Sequence, residues 1–300
     1  MKTTLEEQRA FATVVDCASI TGAAEQLGMT VSGVSRALNR LERKLGATLL
    51  RRTTRRLELT QEGETFLEHC RRILRAVDVA EESVRDRHGQ PRGQLRINAA
   101  PSFMQFVIVP LIGEFRARYP GIHLQLDTHD RFVDLLEQRV DLAIRIGELD
   151  DSSLHARLLG KSPLRLLASP GYLARVGIPE TVEDLAHHSL LGFSQLNHLN
   201  RWPLRGVDRE DVHIVPTLLA SSGSTLMELA IQGEGIVCLA DFMTRTPRRT
   251  QALVEVLPQH SVPMAQAVHA VYYRQATLSQ RARLFIDFLV ERLAGQYLQE

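Results

Sequence analysis

The sequence is short of the features that mark secreted, membrane-spanning or redox-active chains. Its 300 residues hold three cysteines, Cys17, Cys70 and Cys238, too few and too widely spaced for a disulfide framework or a zinc site. Cys238 falls in the strand-like run Gly235–Leu239 and reads as a packed core thiol before it reads as a redox sensor. No run of 18 apolar residues exists, which excludes a spanning helix of the usual kind. Glu6, Glu7 and Arg9 stand in the first turns, unlike an export signal, so a cytoplasmic location is expected. A net charge of only +1 excludes a generally basic protein, and any nucleic-acid contact must rest on a local patch. Catalytic signatures are also missing: there is no nucleophile elbow, phosphate loop, dinucleotide fingerprint or metal-ligand spacing. Gly233-Glu234-Gly235 has no third glycine, His187-His188 has no third ligand nearby, and Asp150-Asp151 sits in a serine-containing loop. Catalytic residues, a cofactor and a metal are therefore not expected. What remains is ordinary globular material, 44% hydrophobic and 24% charged, enough for roughly two domains.

The charge that is present is concentrated. Between Thr30 and Thr60 stand Arg36, Arg40, Arg43, Lys44, Arg51, Arg52, Arg55 and Arg56 against Glu42 and Glu58, a local excess of six positive charges. In the same stretch Val34, Leu38, Leu41 and Leu45 recur at helical spacing and form one buried stripe. Thr30 suits an N-cap and Gly46 a left-handed stop. The opposite face carries Ser32, Ser35, Arg36, Asn39, Arg40 and Arg43, groups able to reach base edges and phosphates. Upstream, a short helix from about Thr21 with small residues at Gly22, Ala23 and Ala24 turns at Gly28-Met29, as a helix-turn-helix requires. Downstream, two short strands at Thr48–Leu50 and Leu57–Leu59 bracket a basic tip, which reads as a wing. Ahead of these, Leu5–Asp16 reads as a helix with Leu5, Phe11, Ala12 and Val15 on its inner face.

Thr60 should cap a further long helix, reaching about Arg87, with Glu62 in its first turn. Phe66, Cys70, Ile73, Val77, Ala80 and Val84 alternate at steps of four and three along it. Such a repeat can pack on its own domain, but its length favours a seam for a second subunit. His88–Gly93, with two glycines and a proline, then breaks the pattern as a hinge. Beyond it, strand-like and helical runs alternate to the end, which reads as a parallel α/β sheet. Among the helical runs are Val107–Tyr119 and Phe132–Arg139, and a terminal helix spans Ser279–Leu293.

Several pieces together are specific: Ala23-Ala24-Glu25-Gln26-Leu27, Val34-Ser35-Arg36, Leu41-Glu42, Leu45-Gly46, Leu49-Leu50-Arg51-Arg52-Thr53 and Leu59-Thr60-Gln61-Glu62-Gly63. In these the sequence resembles the LysR-type transcriptional regulators. One position departs: the family usually bears a side chain at Gly33, where glycine costs about 1 kcal/mol of helix relative to alanine and leaves no side chain that could reach a base. The resemblance implies an N-terminal all-α winged helix-turn-helix with a long linker helix. It also implies a C-terminal α/β effector domain of two Rossmann-like subdomains, similar to periplasmic binding proteins. The expected boundaries are 1–60 for DNA binding, 61–88 for the linker and dimerisation helix, 89–93 for the hinge and 94–300 for the effector domain. Subdomain I would take about 94–162 and 267–300, and subdomain II about 163–266.

The expected contacts follow. Thr30, Ser32, Gly33, Ser35, Arg36, Asn39 and Arg40 would enter the major groove of double-stranded operator DNA, with Arg52, Arg55 and Arg56 on phosphate or minor groove. Strand-to-helix junctions at Ser102, Thr128 and His129, Arg145, and Ser221, Ser222, Gly223 and Ser224 would meet a small-molecule effector. By resemblance, Ser102, Thr128 and Ser221–Ser224 fall where the family lines its inducer pocket. Arg145 suits either an effector carboxylate or an ion pair with Glu148 or Asp150. Ser224 reads as a helix cap first and a ligand contact second, and His129 first as a loop residue. Phe193 and Trp202 could wall the cleft or belong to the core. Self-association to a dimer or tetramer and contact with RNA polymerase complete the expected partners; the competing class is a two-lobed binding protein or enzyme with no DNA role.

Overall fold

The structure, a computed structural model, describes residues 2–52, 57–85, 91–128, 140–149, 154–205, 211–273, 278–294 and 298. It divides into two compact units, one of residues 1–90 with 133–141 and 273–280, the other of 91–132 with 142–272 and 281–300.

The first unit opens with α1 (Leu5–Cys17), α2 (Ile20–Leu27) and α3 (Val31–Leu45). Each starts at a hydroxyl that accepts from a backbone amide of the first turn: Thr4 from Glu7, Ser19 from Gly22 and Thr30 from Gly33. The turns between them run through left-handed residues at Ala18 and Gly28, and α3 stops at Gly46 with φ 67°. Three of the four expected stripe residues on α3 are buried, Val34, Leu38 and Leu41 between 0 and 2% exposed, while Leu45, the last residue before the Gly46 stop, is 38% exposed. The three pack with Phe11, Val14, Ala23 and Leu49 in one core. On α1 the inner face differs from the expected one. Leu5 is 44% exposed and Val15 only half-buried, while Val14 is buried. The buried row runs Glu7, Ala10, Phe11, Val14; it begins on a carboxylate, which an apolar pattern passes over.

Two strands, β1 (Leu50–Arg52) and β2 (Leu57–Leu59), pair antiparallel as the wing. Helix α4 (Gln61–Arg85) follows. Thr60 joins the two: its hydroxyl donates to the Thr48 carbonyl at 2.7 Å and accepts from the Gly63 amide at 2.9 Å. Gly63 lies so close to the wing that a Cβ there would come within 2.1 Å of the Leu49 carbonyl oxygen. The seam expected along α4 is divided. Cys70 is fully buried in its own unit's core, and Phe66 packs there against Phe11 with ring centroids 5.8 Å apart. Burial pushes the Cys70 thiol up to about 12. Further along, Ile73 is 41% exposed, Val77 half-buried and Ala80 exposed, so the outward part of the repeat begins at Ile73. The Val84 side chain lies outside the described residues.

The second unit begins with β3 (Gly93–Ala99), α5 (Pro101–Phe103), a π-helical turn at Met104–Ile108 and α6 (Val109–Arg118). Pro110 explains the widened turn: it has no amide to donate, and its ring would strike a carbonyl four residues back in a regular helix. Next come β4 (Ile122–Thr128), β5 (Leu142–Ile146), the long β6 (Leu154–Ala168), α7 (Pro170–Val176), β7 (Leu190–Phe193), β8 (Arg201–Trp202) and β9 (Val212–His213). The chain ends with β10 (Leu218–Ala220), α8 (Gly223–Ile231), β11 (Ile236–Ala240), α9 (Asp241–Arg249), β12 (Val254–Glu255), β13 (Ala265–Tyr273) and α10 (Gln280–Leu293). The main sheet runs β10-β7-β11-β6-β13-β5-β3-β4, with β12 paired to β6.

The sheet is mixed, not wholly parallel. β3, β4 and β5 are parallel to one another, as are β7, β10 and β11. The exceptions are the strands that carry the chain between the halves: β6 is antiparallel to β11, and β13 is antiparallel to β5. A strand crossing from one half to the other enters against the direction of its new neighbours. One half packs Phe115 of α6 edge-on against Phe285 and Phe288 of α10, at 4.9 and 5.3 Å between centroids. Each such side chain contributes about 1.5–3 kcal/mol on burial. The other half buries Leu166, Leu190, Ile236 and Trp202; Trp202 is 1% exposed and thus core, not cleft wall. The expected helix at Phe132–Arg139 and the hinge residues Gly89 and Gln90 lie outside the described residues.

The joint between wing and α4 gives a first test. Gly63→Ala is expected to destabilise the fold by about 1–3 kcal/mol, since backbone, not a movable side chain, occupies the space. Guanidinium unfolding of the full chain measures it, and an unchanged midpoint would refute the close approach.

Candidate nucleic-acid interface and effector site

The charged face of α3 is organised from beneath by one carboxylate. Glu7, 2% exposed, closes the capping box of α1 by accepting from the Thr4 amide at 2.9 Å. It also takes both bonds of Lys44 at 2.9 Å, and Arg40 lies 3.4 Å away. Burial alone would raise the pKa of Glu7, but the bonds from Lys44, Thr4 and Arg40 outweigh it and hold the carboxyl at about 2. Glu42, also on α3, accepts from the Leu49 and Leu50 amides at 2.8 and 3.2 Å and so fixes where the wing begins. Neither glutamate was picked out among the sequence candidates. A polar residue on an inner face carries no periodic signal.

Around this anchor, Ser32, Arg36, Asn39, Arg40 and Arg43 are exposed, and Ser35 and Gly33 partly so. Thr30 spends its hydroxyl on the helix end, accepting from Gly33 at 3.1 Å and lying 3.2 Å from the Ser32 hydroxyl. Arg36 Nε donates back to the Ser32 carbonyl at 3.2 Å. Arg52 belongs to β1, its side chain outside the described residues, as are Arg55 and Arg56 entirely.

In the second unit the effector candidates gather at strand ends. Register aligns Thr128 of β4 with Ala99 of β3, and Ala99 with Ile144 of β5, so β3 and β4 end together and β5 runs on to Ile146. Ser102 follows β3 in α5, and Arg145 follows Ile144. In the other half Phe193 of β7 stands opposite Ala220 of β10, and Ser221 to Ser224 lead from there into α8. The two groups meet: the Ser224 hydroxyl donates to Gln105 Oε1 at 3.2 Å, and Phe103 lies edge-on to Phe242, 5.2 Å between centroids. The cap of α8 is Ser222, which accepts from the Thr225 amide, so the cap reading of Ser224 gives way to a contact across the site. His129 lies outside the described residues.

Arg145 is 8% exposed and its guanidinium donates to Asn98 Oδ1 at 2.6 Å and to the Ile144 carbonyl. One partner of Arg145 is thus an amide 47 residues earlier in the chain, and Asp150 lies outside the described residues. Directly across on β13 stands His269, whose pKa burial holds below the ordinary imidazole value, with a bond to Gly147 opposing. Gln105, Asn98 and Asn200 escaped sequence reasoning. The last is buried and binds both the amide and the carbonyl of Phe193, at 2.8 and 2.9 Å. A groove of about 560 Å³ lies elsewhere, along α6 and the outer strand β4, between Ile112, Arg116, Leu124 and Leu126. Cys238 is buried in β11, and burial raises its pKa. Among the described residues no cluster of three or more His, Cys, Asp or Glu could hold a metal, and no helix is long and apolar enough to cross a membrane.

Comparison with known proteins meets this geometry at both ends. Residues 5–64 match the bacterial regulatory helix-turn-helix proteins of the lysR family, and residues 88–294 match the LysR substrate binding domain. The chain belongs to the LysR family of transcriptional regulators. It is similar to the HTH-type transcriptional regulator CrgA of Neisseria meningitidis, 42% identical over 295 residues that cover 98% of this chain and 99% of the relative. The solved structure of CrgA matches with a TM-score of 0.67 at 41% identity, over 98% of this chain and all of that one. AphB of Vibrio cholerae, a virulence activator, matches at full length with a TM-score of 0.61 and 29% identity, over 96% and 99% of the two chains. This LysR-type regulator thus couples a helical DNA-binding domain to an α/β effector-binding domain.

The Glu7 anchor carries a pH signature. A carboxyl depressed from 4.5 to about 2 stabilises the fold fully above pH 4.5, and that stabilisation is lost as pH falls toward 2. Glu7→Gln is expected to cost about 2 kcal/mol at pH 7, with the gap to the natural chain closing between pH 4.5 and 2. Denaturant midpoints across that range test it; a gap constant with pH would count against the anchor.

Proposed function

We propose that this LysR-type regulator reads an operator through α3 and the wing and is tuned by a small organic effector held between the two halves of its α/β unit. In the major groove act Ser32, Ser35, Arg36, Asn39 and Arg40, with Thr30 and Gly33 shaping the helix end; Arg52, Arg55 and Arg56 grip phosphate or the minor groove. The observation that carries this is the pairing on one helix of the buried Val34, Leu38 and Leu41 with a hydroxyl and arginine face, in a region with an excess of six positive charges. Residues 1–60 form the reading domain, 61–88 the linker, 89–93 the hinge and 94–300 the effector domain, its halves being 94–162 with 267–300, and 163–266.

The effector contacts Ser102, Thr128, His129, Phe193 and Ser221–Ser224. A carboxylate is the favoured class, with Arg145, gripped by Asn98, supplying the positive potential of the floor. The chain acts by binding, in the cytoplasm, with RNA polymerase as the partner at the promoter. Self-association uses the outward part of α4, Ile73, Val77, Ala80 and Val84, while Phe66 and Cys70 serve its own core. Dimers reading an inverted repeat, or tetramers spanning two, bend the DNA, and the effector alters that bend through the hinge.

Mobility shifts of the full chain at rising salt test the reading, with operators selected from genomic fragments. A band whose log affinity falls linearly with log salt is expected; no specific band in dilute buffer would end the proposal. Arg36→Ala is expected to cost about 1–3 kcal/mol on the operator and to relax specificity at one position. Equal losses on operator and random duplex would reduce Arg36 to a backbone contact. For the linker, Ile73→Asp is expected to shift the sedimentation profile of the natural chain toward monomer, and an unchanged profile would move the subunit contact away from α4.

A further inference from the structure

The leading turn of α3 has fewer polar groups to offer DNA than its sequence suggests. The Thr30 and Ser32 hydroxyls lie 3.2 Å apart and Thr30 also caps the Gly33 amide. The Ser32 carbonyl holds Arg36 Nε, Gly33 has no side chain, and Val34 is fully buried. What stands clear of this turn is Val31, the first helical residue, with 48% of its surface exposed. It takes no part in the buried stripe, whose nearest member is Val34. A lone exposed apolar side chain is unremarkable on most surfaces. At the leading end of a DNA-reading helix it is placed where side chains meet base edges.

Base pairs offer one apolar feature in the major groove, the C5-methyl group of thymine; the other groups there are donors and acceptors. We infer that Val31 is a specificity-determining residue that packs on a thymine methyl group, selecting thymine over cytosine at one position of each half-site without a hydrogen bond. Burying valine methyls against that group removes apolar surface from water on both partners. The inference rests on α3 being the reading helix and adds a contact to it.

The test removes the methyl from the DNA, so that it does not depend on how a variant folds. Duplexes that bind the full chain are selected from a random pool, and each thymine in the bound half-site is replaced singly by deoxyuridine. One position is expected at which the natural chain loses about three- to tenfold in affinity, while Val31→Ala loses less than about twofold. On the intact operator Val31→Ala should already be weaker by the same factor. If every replacement is neutral, or costs both proteins alike, the inference is overturned while the regulator reading stands. If the chain binds no duplex, both fall.

Discussion

A desolvated carboxylate is the constraint on which the reading head depends. Glu7 has left water, and Lys44, the Thr4 amide and Arg40 together compensate it. The stripe of Val34, Leu38 and Leu41 would tolerate some sliding of α3 on α1, since apolar contact has little direction. The carboxylate tolerates less: a slide of α3 by half a turn, about 2.7 Å, would take the Lys44 ammonium out of hydrogen-bond range of Glu7. Apolar burial therefore supplies adhesion between α1 and α3, and Glu7 supplies register. Arg40 belongs to both sides of this arrangement, touching Glu7 while nearly half of it faces solvent.

The α/β unit solves a related problem in another way. Its halves are each parallel, so each has its strand ends and helix starts on one edge, and β6 and β13 stitch them into a single sheet. At that edge the halves touch through an aromatic pair, Phe103 with Phe242, and through the Ser224–Gln105 bond. The first is close-packed and resists separation; the second is exposed and exchanges readily with water. The edge between the halves thus combines a fixed contact with an exchangeable one.

How legible all this was depends on how local each signal is. Helix α3 was readable from cap to stop because Thr30, the row Val34, Leu38 and Leu41, and Gly46 lie close together in sequence; only Leu45, at the end of the row, turns out exposed. The candidacy of Ser102, Thr128 and Ser221–Ser224 followed from strand-to-helix junctions, again local features. Missed were the partners that only folding brings close: Asn98 for Arg145, Gln105 for Ser224, Glu7 for Lys44. The antiparallel entry of β6 and β13 was hidden too, since a strand's composition says nothing of its direction. Cys70 misled because a repeat that serves two surfaces in succession looks continuous until burial separates them.

Thr60 and Gly63 join the wing to α4 with no slack, the helix starting against the Leu49 carbonyl. A rigid root under a long rod makes a lever. The 25 residues of α4 span about 38 Å, so a tilt of roughly five degrees at the root sweeps the far end through about 3 Å. Run in reverse, a displacement of that size at the tip arrives at the basic strands as a small rotation, geared down in distance and up in force.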